Sequence, residues 1–161
     1  MKRICLVLAD ATRARIFSYQ QLLEPDGPHD ELREERDLVD PERHKRASEL
    51  FSDHAGTNHT HGHANDDHRQ AHLDELDTRF AQHIAGEVEH VLRDEGAREL
   101  VVVASARMLG RLRTSLEPLR RTVTIKELAR DFTKLASTEL RDRLAEHDLL
   151  PARSQLRVAS R

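Results

Sequence analysis

The stretch RICLVLADATRARIFSY, residues 3–19, decides the fold class of this 161-residue chain. Residues 3–9 form a nearly continuous apolar run, which is typical of a central strand that is covered on both faces. Residues 10–12 can turn the chain, and residues 14–19 have the composition and alternation of a second strand. The sequence therefore begins with two predicted strands joined by a tight turn.

The remaining elements follow from turn signals and from the period of the apolar residues. The turn cluster Pro-Asp-Gly-Pro precedes a third, edge-like strand, and a long helix with apolar residues three and four apart begins near Asp66 or Asp67 and ends at Gly96. The later predicted elements alternate between strand and helix: strand 99–104, helix 107–119, strand 123–128 and helix 132–147. The third strand is predicted over residues 31–39.

The order β-β-β-α-β-α-β-α predicts an α/β protein with a five-stranded mixed sheet and helices on its faces. It is the element order of the ribonuclease H-like fold. The length is close to the ~150 residues of one domain, so we expect a single domain over residues 1–150 and a polar tail over residues 151–161. In this order, three antiparallel strands are followed by two helical crossovers to further strands and by a final helix.

Composition excludes several classes of protein. No segment approaches the ~20 apolar residues that a membrane span needs, and the apolar run after Arg3 is too short for a secretory signal. The single cysteine, Cys5, excludes a disulfide framework and any multi-cysteine metal site. We therefore expect a cytoplasmic protein without membrane contact; the oligomeric state stays open.

Residues 41–68 show no periodicity and contain proline, glycine and many histidines, so a long mobile loop is predicted there. Histidines four apart at the start of the long helix can face one ion, and imidazole suits Zn²⁺ or another divalent transition metal. The alternative is a solvated loop that binds metal adventitiously, since the segment has no thiolate. A zinc dissociation constant weaker than roughly 1 μM would contradict a physiological site. The candidate metal ligands are His59, His61, His63, His68 and His72.

Asp10 stands at the end of the first predicted strand, where ribonuclease H-like nucleases carry one carboxylate. Two-metal phosphoryl chemistry needs several converging carboxylates, and the fourth strand ends without an acid. Asp10 alone is thus a weak catalytic candidate, and the competing interpretation is that it caps the turn. No nucleophile–base pair and no glycine-rich phosphate loop is recognisable, so we expect no enzyme, with a degenerate nuclease as the third hypothesis.

Charge is distributed unevenly along the chain. Residues 1–99 hold 13 Lys and Arg against 22 Asp and Glu, whereas residues 100–161 hold 13 against 7. Such asymmetry favours an oriented field with one surface that attracts a polyanion. Arginines near the first turn and around the second helix are candidates for binding RNA phosphates; the competing interpretation is an ordinary solvated face. They are Arg13, Arg15, Arg107, Arg111, Arg113, Arg120 and Arg121.

Three segments resemble the bacterial host-attachment protein family. They are residues 9–17 (ADATRARIF), 101–116 (VVVASARMLGRLRTSL, with a Leu-Gly-x-Leu-Arg helix) and 131–144 (DFTKLASTELRDRL). The resemblance implies kinship with the middle domain of archaeo-eukaryotic release factors and Pelota, which is itself ribonuclease H-like. Release factors carry Gly-Gly-Gln in the loop before the first long helix. Residues 52–68 lack this tripeptide, so peptidyl-tRNA hydrolysis is not expected.

These observations lead to a hypothesis of a non-catalytic, translation-associated protein that binds RNA or the ribosome. It would use the basic face and the His-rich loop; the alternative is a metal-binding protein that acts through that loop. Reversal of Arg107, Arg111 and Arg113 to glutamate is expected to weaken RNA binding and to leave the fold intact.

Overall fold

The computed structural model describes residues 2–45 and 63–153. Its elements are β1 (Arg3–Ala9), β2 (Arg13–Glu24), β3 (Gly27–Val39), α1 (His63–Glu95), β4 (Glu99–Ala104), α2 (Ala106–Leu116), a 3-10 helix (Glu117–Arg121), β5 (Thr124–Ala129) and α3 (Ser137–Glu146). Residues 41–45 are also helical. None of the helices within these two ranges combines the length and the apolar composition that a bilayer span requires.

The five strands form one mixed sheet in the order β3-β2-β1-β4-β5. Strand β2 is antiparallel to both β1 and β3, whereas β1, β4 and β5 run parallel to one another. The predicted α/β class with a five-stranded mixed sheet is therefore confirmed. Because β1, β4 and β5 are parallel, their first residues meet at one edge of the sheet and their last residues at the opposite edge. We call these the strand-start edge and the strand-end edge.

Both faces of the sheet are covered, which explains the continuous apolar run of β1. Cys5 and Val7 pack with Ile84 of α1 and Leu112 of α2 on one face. The alternate residues of β1 pack against α3 on the other face, together with Phe17 of β2. A strand that is buried on both sides needs apolar residues at every position, not at every second one.

Two strands are longer than predicted. Strand β2 continues to Glu24 and β3 begins at Gly27, so that only Pro25 and Asp26 lie between the two strands. Gly27 adopts a φ of 118°, a conformation that glycine reaches without steric cost. The pairs at this end of the hairpin include Gln21 with Asp30 and Leu22 with His29, so the segment lacks the apolar alternation by which a strand is recognised in a sequence.

The predicted loop over residues 41–68 is wrong at both ends, because residues 41–45 are helical and α1 begins at His63. Its middle, residues 46–62, lies outside the described residues, as does most of the predicted tail. The predicted end of α1 is confirmed, since Gly96 has a φ of 62° and its N–H bonds to the carbonyl oxygen of Arg93.

The last two helices also differ from the prediction. Helix α2 ends at Leu116, and the chain continues as a 3-10 turn that contains Pro118, which has no N–H for a further α-helical bond. Helix α3 begins at Ser137 and not at residue 132, because the Thr133 and Leu135 carbonyl oxygens accept hydrogen bonds from the guanidinium of Arg15.

Candidate functional site

Asp10 holds the turn between β1 and β2. Its Oδ1 accepts hydrogen bonds from the backbone N–H groups of Thr12 and Arg13, each at 2.8 Å, and from the Thr12 hydroxyl at 3.0 Å. Its Oδ2 accepts a bond from the hydroxyl of Thr133 at 3.3 Å. The carboxylate thus has the turn-capping function that was the competing interpretation of this residue.

The loop after β5 closes the strand-end edge around Asp10. Thr133 in this loop is buried, and its single hydroxyl proton lies between two acceptors, Oδ2 of Asp10 at 3.3 Å and the closer Oδ1 of Asp131 at 2.6 Å. On the neighbouring strand, the N–H of Ser105 bonds to the carbonyl oxygen of Ala9. Across residues 2–45 and 63–153, no three His, Cys, Asp or Glu side chains converge in a geometry suited to a metal ion. The described part of the chain therefore supplies Asp10 with no set of partner ligands.

Arg15 is a structural residue, which corrects its prediction as a phosphate ligand. Its Nε and Nη2 bind the two carboxylate oxygens of Glu34 at 2.8 and 2.9 Å, and its Nη1 donates to two carbonyl oxygens of the β5–α3 loop. The guanidinium also lies over the ring of Phe17, 4.9 Å from its centroid. Only 8% of the residue is exposed, so a phosphate cannot reach it.

Arg13 is exposed, but Asp37 already occupies its guanidinium. The two side chains form a bidentate pair, with Nε to Oδ1 at 2.9 Å and Nη2 to Oδ2 at 2.7 Å. The hydrogen bond from Arg13 lowers the pKa of Asp37, so the carboxylate stays charged near neutral pH. An anion at this position would have to displace Asp37.

Arg107 and Arg111 come together at the interface between α1 and α2. Both pair with Asp74, and Arg107 also pairs with Asp77, of which only 1% of the side chain is exposed. Asp77 accepts a 3.0 Å hydrogen bond from Arg43, which belongs to helical residues 41–45. This group joins three segments of the chain, and its two aspartates neutralise most of its positive charge.

A second group forms around Glu127 on β5. Arg113 donates to one carboxylate oxygen at 2.7 Å, and Arg120 donates to the other at 2.8 Å. Although burial opposes the shift, these two hydrogen bonds lower the pKa of Glu127. Among the seven predicted arginines, Arg121 alone is left without a hydrogen bond or ion pair to any described residue.

The strand-start edge carries an open groove of about 480 Å³ that joins the beginnings of three strands. Arg3 begins β1, Arg98 precedes β4, and Lys126 lies on β5. Arg3 donates to the carbonyl oxygen of Glu95 at 2.9 Å, and Lys126 pairs with Glu99 at 3.1 Å. Arg98 is exposed, and its guanidinium, like that of Arg121, has no partner among the described residues.

Two further cavities continue this groove along the 3-10 helix. One, of about 530 Å³, is lined by both Arg98 and Arg121, and the other, of about 310 Å³, shares Arg121 and Thr124 with its neighbours. We call the three cavities together the basic groove. Its two carboxylates are Glu89 and Glu99. Its six cationic residues are Arg3, Arg93, Arg98, Arg120, Arg121 and Lys126.

Arg3 and Arg98 are absent from the predicted set, although the sequence carries a signal for both. Arg3 is the first residue of one predicted parallel strand and Arg98 immediately precedes another, and such positions meet at one edge of a sheet. The predicted set was instead placed at the opposite edge, around Asp10 and the start of α2. Arg120 and Arg121 belong to both the predicted set and the basic groove.

The metal prediction remains untested. His59 and His61 lie outside the described residues, and His63 is the first residue of α1. His68 is exposed, and Nε2 of His72 lies 3.3 Å from a carboxylate oxygen of Glu42. His72 and Glu42 could supply an imidazole and a carboxylate ligand, but no third ligand lies beside them among the described residues.

The thiol of Cys5 is not an accessible nucleophile. Cys5 lies in the centre of β1, and burial raises the pKa of its thiol to about 12. A thiol that remains protonated and inaccessible is a core residue rather than a nucleophile.

A family model described as "Protein required for attachment to host cells" matches residues 5–144. No curated protein matches the chain. Among solved structures, the chain is similar to the type II variant of the Ppx/GppA phosphatase of Aquifex aeolicus, with 10% sequence identity and a TM-score of 0.37. That similarity covers 80% of this chain and 36% of the phosphatase chain, so the chain spans little more than a third of the phosphatase.

Proposed function

The chain belongs to the family of proteins required for attachment to host cells, and on this premise we propose that it contributes to that role as a non-catalytic protein that binds RNA or the ribosome. The proposal places the protein in the cytoplasm, where attachment would depend on it indirectly. We propose further that the fold is ribonuclease H-like and related to the middle domain of release factors and Pelota. Three antiparallel strands followed by two βα crossovers support that relation.

The observation that carries the proposal is the pair of unpartnered arginines in the basic groove. Arg98 and Arg121 line one cavity, and neither is neutralised by a described carboxylate. Of the six cationic residues that the described part of the chain places along the groove, Arg93, Arg120 and Lys126 are paired with carboxylates. Arg3, Arg98 and Arg121 form no ion pair with a described carboxylate, so the groove keeps an excess of positive charge in a chain whose net charge is −3. Binding of phosphates releases counterions from the nucleic acid, and free guanidinium groups obtain this gain without first breaking an ion pair.

The proposal relocates the interface from the predicted arginine face to the strand-start edge. Arg107, Arg111 and Arg113 would have to exchange carboxylate partners for phosphates, which reduces the net gain of each contact. They remain a second, weaker surface for the same ligand. The absence of a described carboxylate set around Asp10 favours binding over cleavage.

Co-sedimentation with ribosomes on sucrose gradients tests the proposal. The wild-type protein is expected to migrate with a ribosomal subunit or the assembled ribosome at low salt, and to move toward the top of the gradient as salt is raised. The Arg98→Glu, Arg121→Glu double variant is expected to stay at the top at both salt concentrations. A wild-type protein that stays at the top of every gradient would contradict ribosome association.

A matched control separates loss of the groove from loss of net charge. Arg79→Glu with Arg143→Glu changes the charge equally, and both side chains are more than half exposed and lie outside the basic groove. This control is expected to migrate like the wild type. Equal loss of migration in the two double variants would show that net charge, and not the groove, governs binding.

A further inference from the structure

We infer that the basic groove accepts double-helical RNA, which it contacts through phosphates and ribose hydroxyls and not through bases. This inference rests on the proposed function and specifies its ligand. It depends on three properties of the groove: its lack of aromatic side chains, the rigid placement of its cations, and the carboxylates and hydroxyls that lie among them.

None of the described aromatic side chains lines the three cavities. The described aromatic residues lie in the core, where they are at most 9% exposed. They are Phe17, Tyr19, Phe80 and Phe132. Proteins that bind single strands without sequence preference obtain about 1–3 kcal/mol per base from stacking on such side chains. Without a stacking platform, the groove gains little from unpaired bases, so a ligand whose bases are already stacked and paired is favoured.

The cations of the groove are attached to the ends of a rigid sheet. Ile4 of β1 is in register with Glu99 of β4, which is in register with Thr124 of β5. Arg3 and Arg98 therefore precede paired positions on strands that lie ~4.8 Å apart. Arg3 is further held by its bond to the backbone of α1. A row of cations whose backbone positions are fixed favours a duplex, whose phosphates are already ordered, over a flexible strand that must first be ordered.

The polar groups between the cations distinguish RNA from DNA. Carboxylates repel phosphates, but they accept hydrogen bonds from ribose 2′-hydroxyls, and the exposed carboxylate of Glu89 lines the groove beside Arg98. Thr122 and Thr124 add exposed hydroxyl groups that can donate to or accept from the same atoms. In A-form helices, 2′-hydroxyls are displayed along the wide minor groove, where proteins contact duplex RNA by shape. A deoxyribose backbone offers no equivalent partner.

Fluorescence anisotropy with the full chain tests this inference. The probes are a labelled RNA duplex of about 16 base pairs, one of its strands alone, and the DNA duplex of the same sequence. We expect the RNA duplex to bind about tenfold more tightly than the single strand, and more tightly than the DNA duplex. Arg98→Ala and Arg121→Ala are each expected to weaken binding of the RNA duplex, whereas Arg79→Ala leaves it unchanged.

The outcomes separate this inference from the function on which it rests. Equal or tighter binding of the single strand would overturn the choice of duplex and leave RNA binding standing. Equal binding of the DNA duplex would overturn the role of the 2′-hydroxyls. Competition by polyglutamate at the same charge concentration as the RNA would show that the groove accepts acidic peptides instead. No binding of any RNA would contradict the proposed function as well.

Discussion

Nε of Arg107 on α2 lies 3.0 Å from Oδ2 of Asp77 on α1, and only 1% of the Asp77 side chain is exposed. This contact is an ion pair without good hydrogen-bond geometry, since Oδ2 has no hydrogen-bond partner, whereas Oδ1 accepts a bond from Arg43. One buried carboxylate thus links helical residues 41–45, α1 and α2. Arg107 therefore stabilises the fold through Asp77, and it is also a candidate ligand of RNA.

Replacement of Asp77 by asparagine is expected to lower the free energy of unfolding by about 2 kcal/mol, because it removes a charge that two arginines share. Urea denaturation measures this change. Asp74→Asn is the control, with a smaller expected loss because Asp74 is 41% exposed. An Asp77→Asn variant as stable as the wild type would contradict a structural role for the group.

The same contact revises the expected result of reversing Arg107, Arg111 and Arg113. Glutamate at position 107 would face Asp74 and Asp77 across the helix interface, where like charges repel. The triple variant should therefore be less stable and not merely weaker in binding. Variants of Arg98 and Arg121 avoid this problem, because neither side chain has a described partner to lose.

Arg15→Met is expected to lower the free energy of unfolding by roughly 3 kcal/mol and to leave RNA affinity unchanged. The substitution leaves Glu34 without its bidentate partner and two loop carbonyl oxygens without their donor. Arg15→Lys should recover little, because an ammonium group cannot reproduce the planar set of bonds. Urea denaturation and RNA titration of the same preparations measure both effects. Loss of RNA affinity in a fully stable Arg15→Met protein would restore the predicted phosphate role.

Acid destabilisation should depend in part on Glu127. Its folded-state pKa is lowered by Arg113 and Arg120, so the folded protein binds a proton at this carboxyl less readily than the unfolded chain does. The stability that it contributes is therefore present above its ordinary pKa of 4.5 and is lost as pH falls through the lower folded value.

Urea denaturation between about pH 6 and pH 3 measures this dependence. Glu127→Gln is expected to lose less stability over that interval than the wild type, because glutamine does not titrate. Asp37, whose pKa Arg13 lowers, provides the parallel case in Asp37→Asn. If the free energy of unfolding of Glu127→Gln fell with pH as steeply as that of the wild type, the ion pairs around Glu127 would not contribute to stability.

Asp10→Ala is expected to destabilise the protein by about 1 kcal/mol through loss of the turn cap, and Asp10→Asn by less, since an amide oxygen still accepts from the turn N–H groups. No Mg²⁺-dependent cleavage of RNA is expected from the wild type. Cleavage that disappears in Asp10→Ala would instead support the nuclease hypothesis.

The sequence predicts the fold well where burial imposes a pattern. The continuous apolar run of β1 and the three-and-four spacing of α1 report directly on what those elements pack against. Of the boundaries that were wrong, the end of α2 follows from Pro118, whereas the start of α3 depends on polar contacts between distant residues. At the start of α3, Arg15 binds the carbonyl oxygens of Thr133 and Leu135, which lie more than a hundred positions away in the sequence. No local pattern in residues 133–135 indicates this contact.

The candidate site was harder to predict for a related reason. Composition identifies the basic second part of the chain, but whether an arginine is free depends on which carboxylates the fold brings to it. Arg113 and Arg121 look alike in the sequence, and only the structure shows that Glu127 neutralises the first and not the second. Arg98 lies in the acidic first part of the chain, so a count of charges by sequence position excludes it.

The salt dependence of RNA-duplex affinity tests the central claim most directly. The logarithm of the association constant, measured by anisotropy between about 50 and 200 mM salt, should fall linearly with the logarithm of the salt concentration. For the Arg98→Ala, Arg121→Ala double variant, we predict a slope shallower than that of the wild type by about 2, one for each lost phosphate contact. A double variant with the slope and affinity of the wild type would contradict the assignment of the basic groove as the RNA-binding surface.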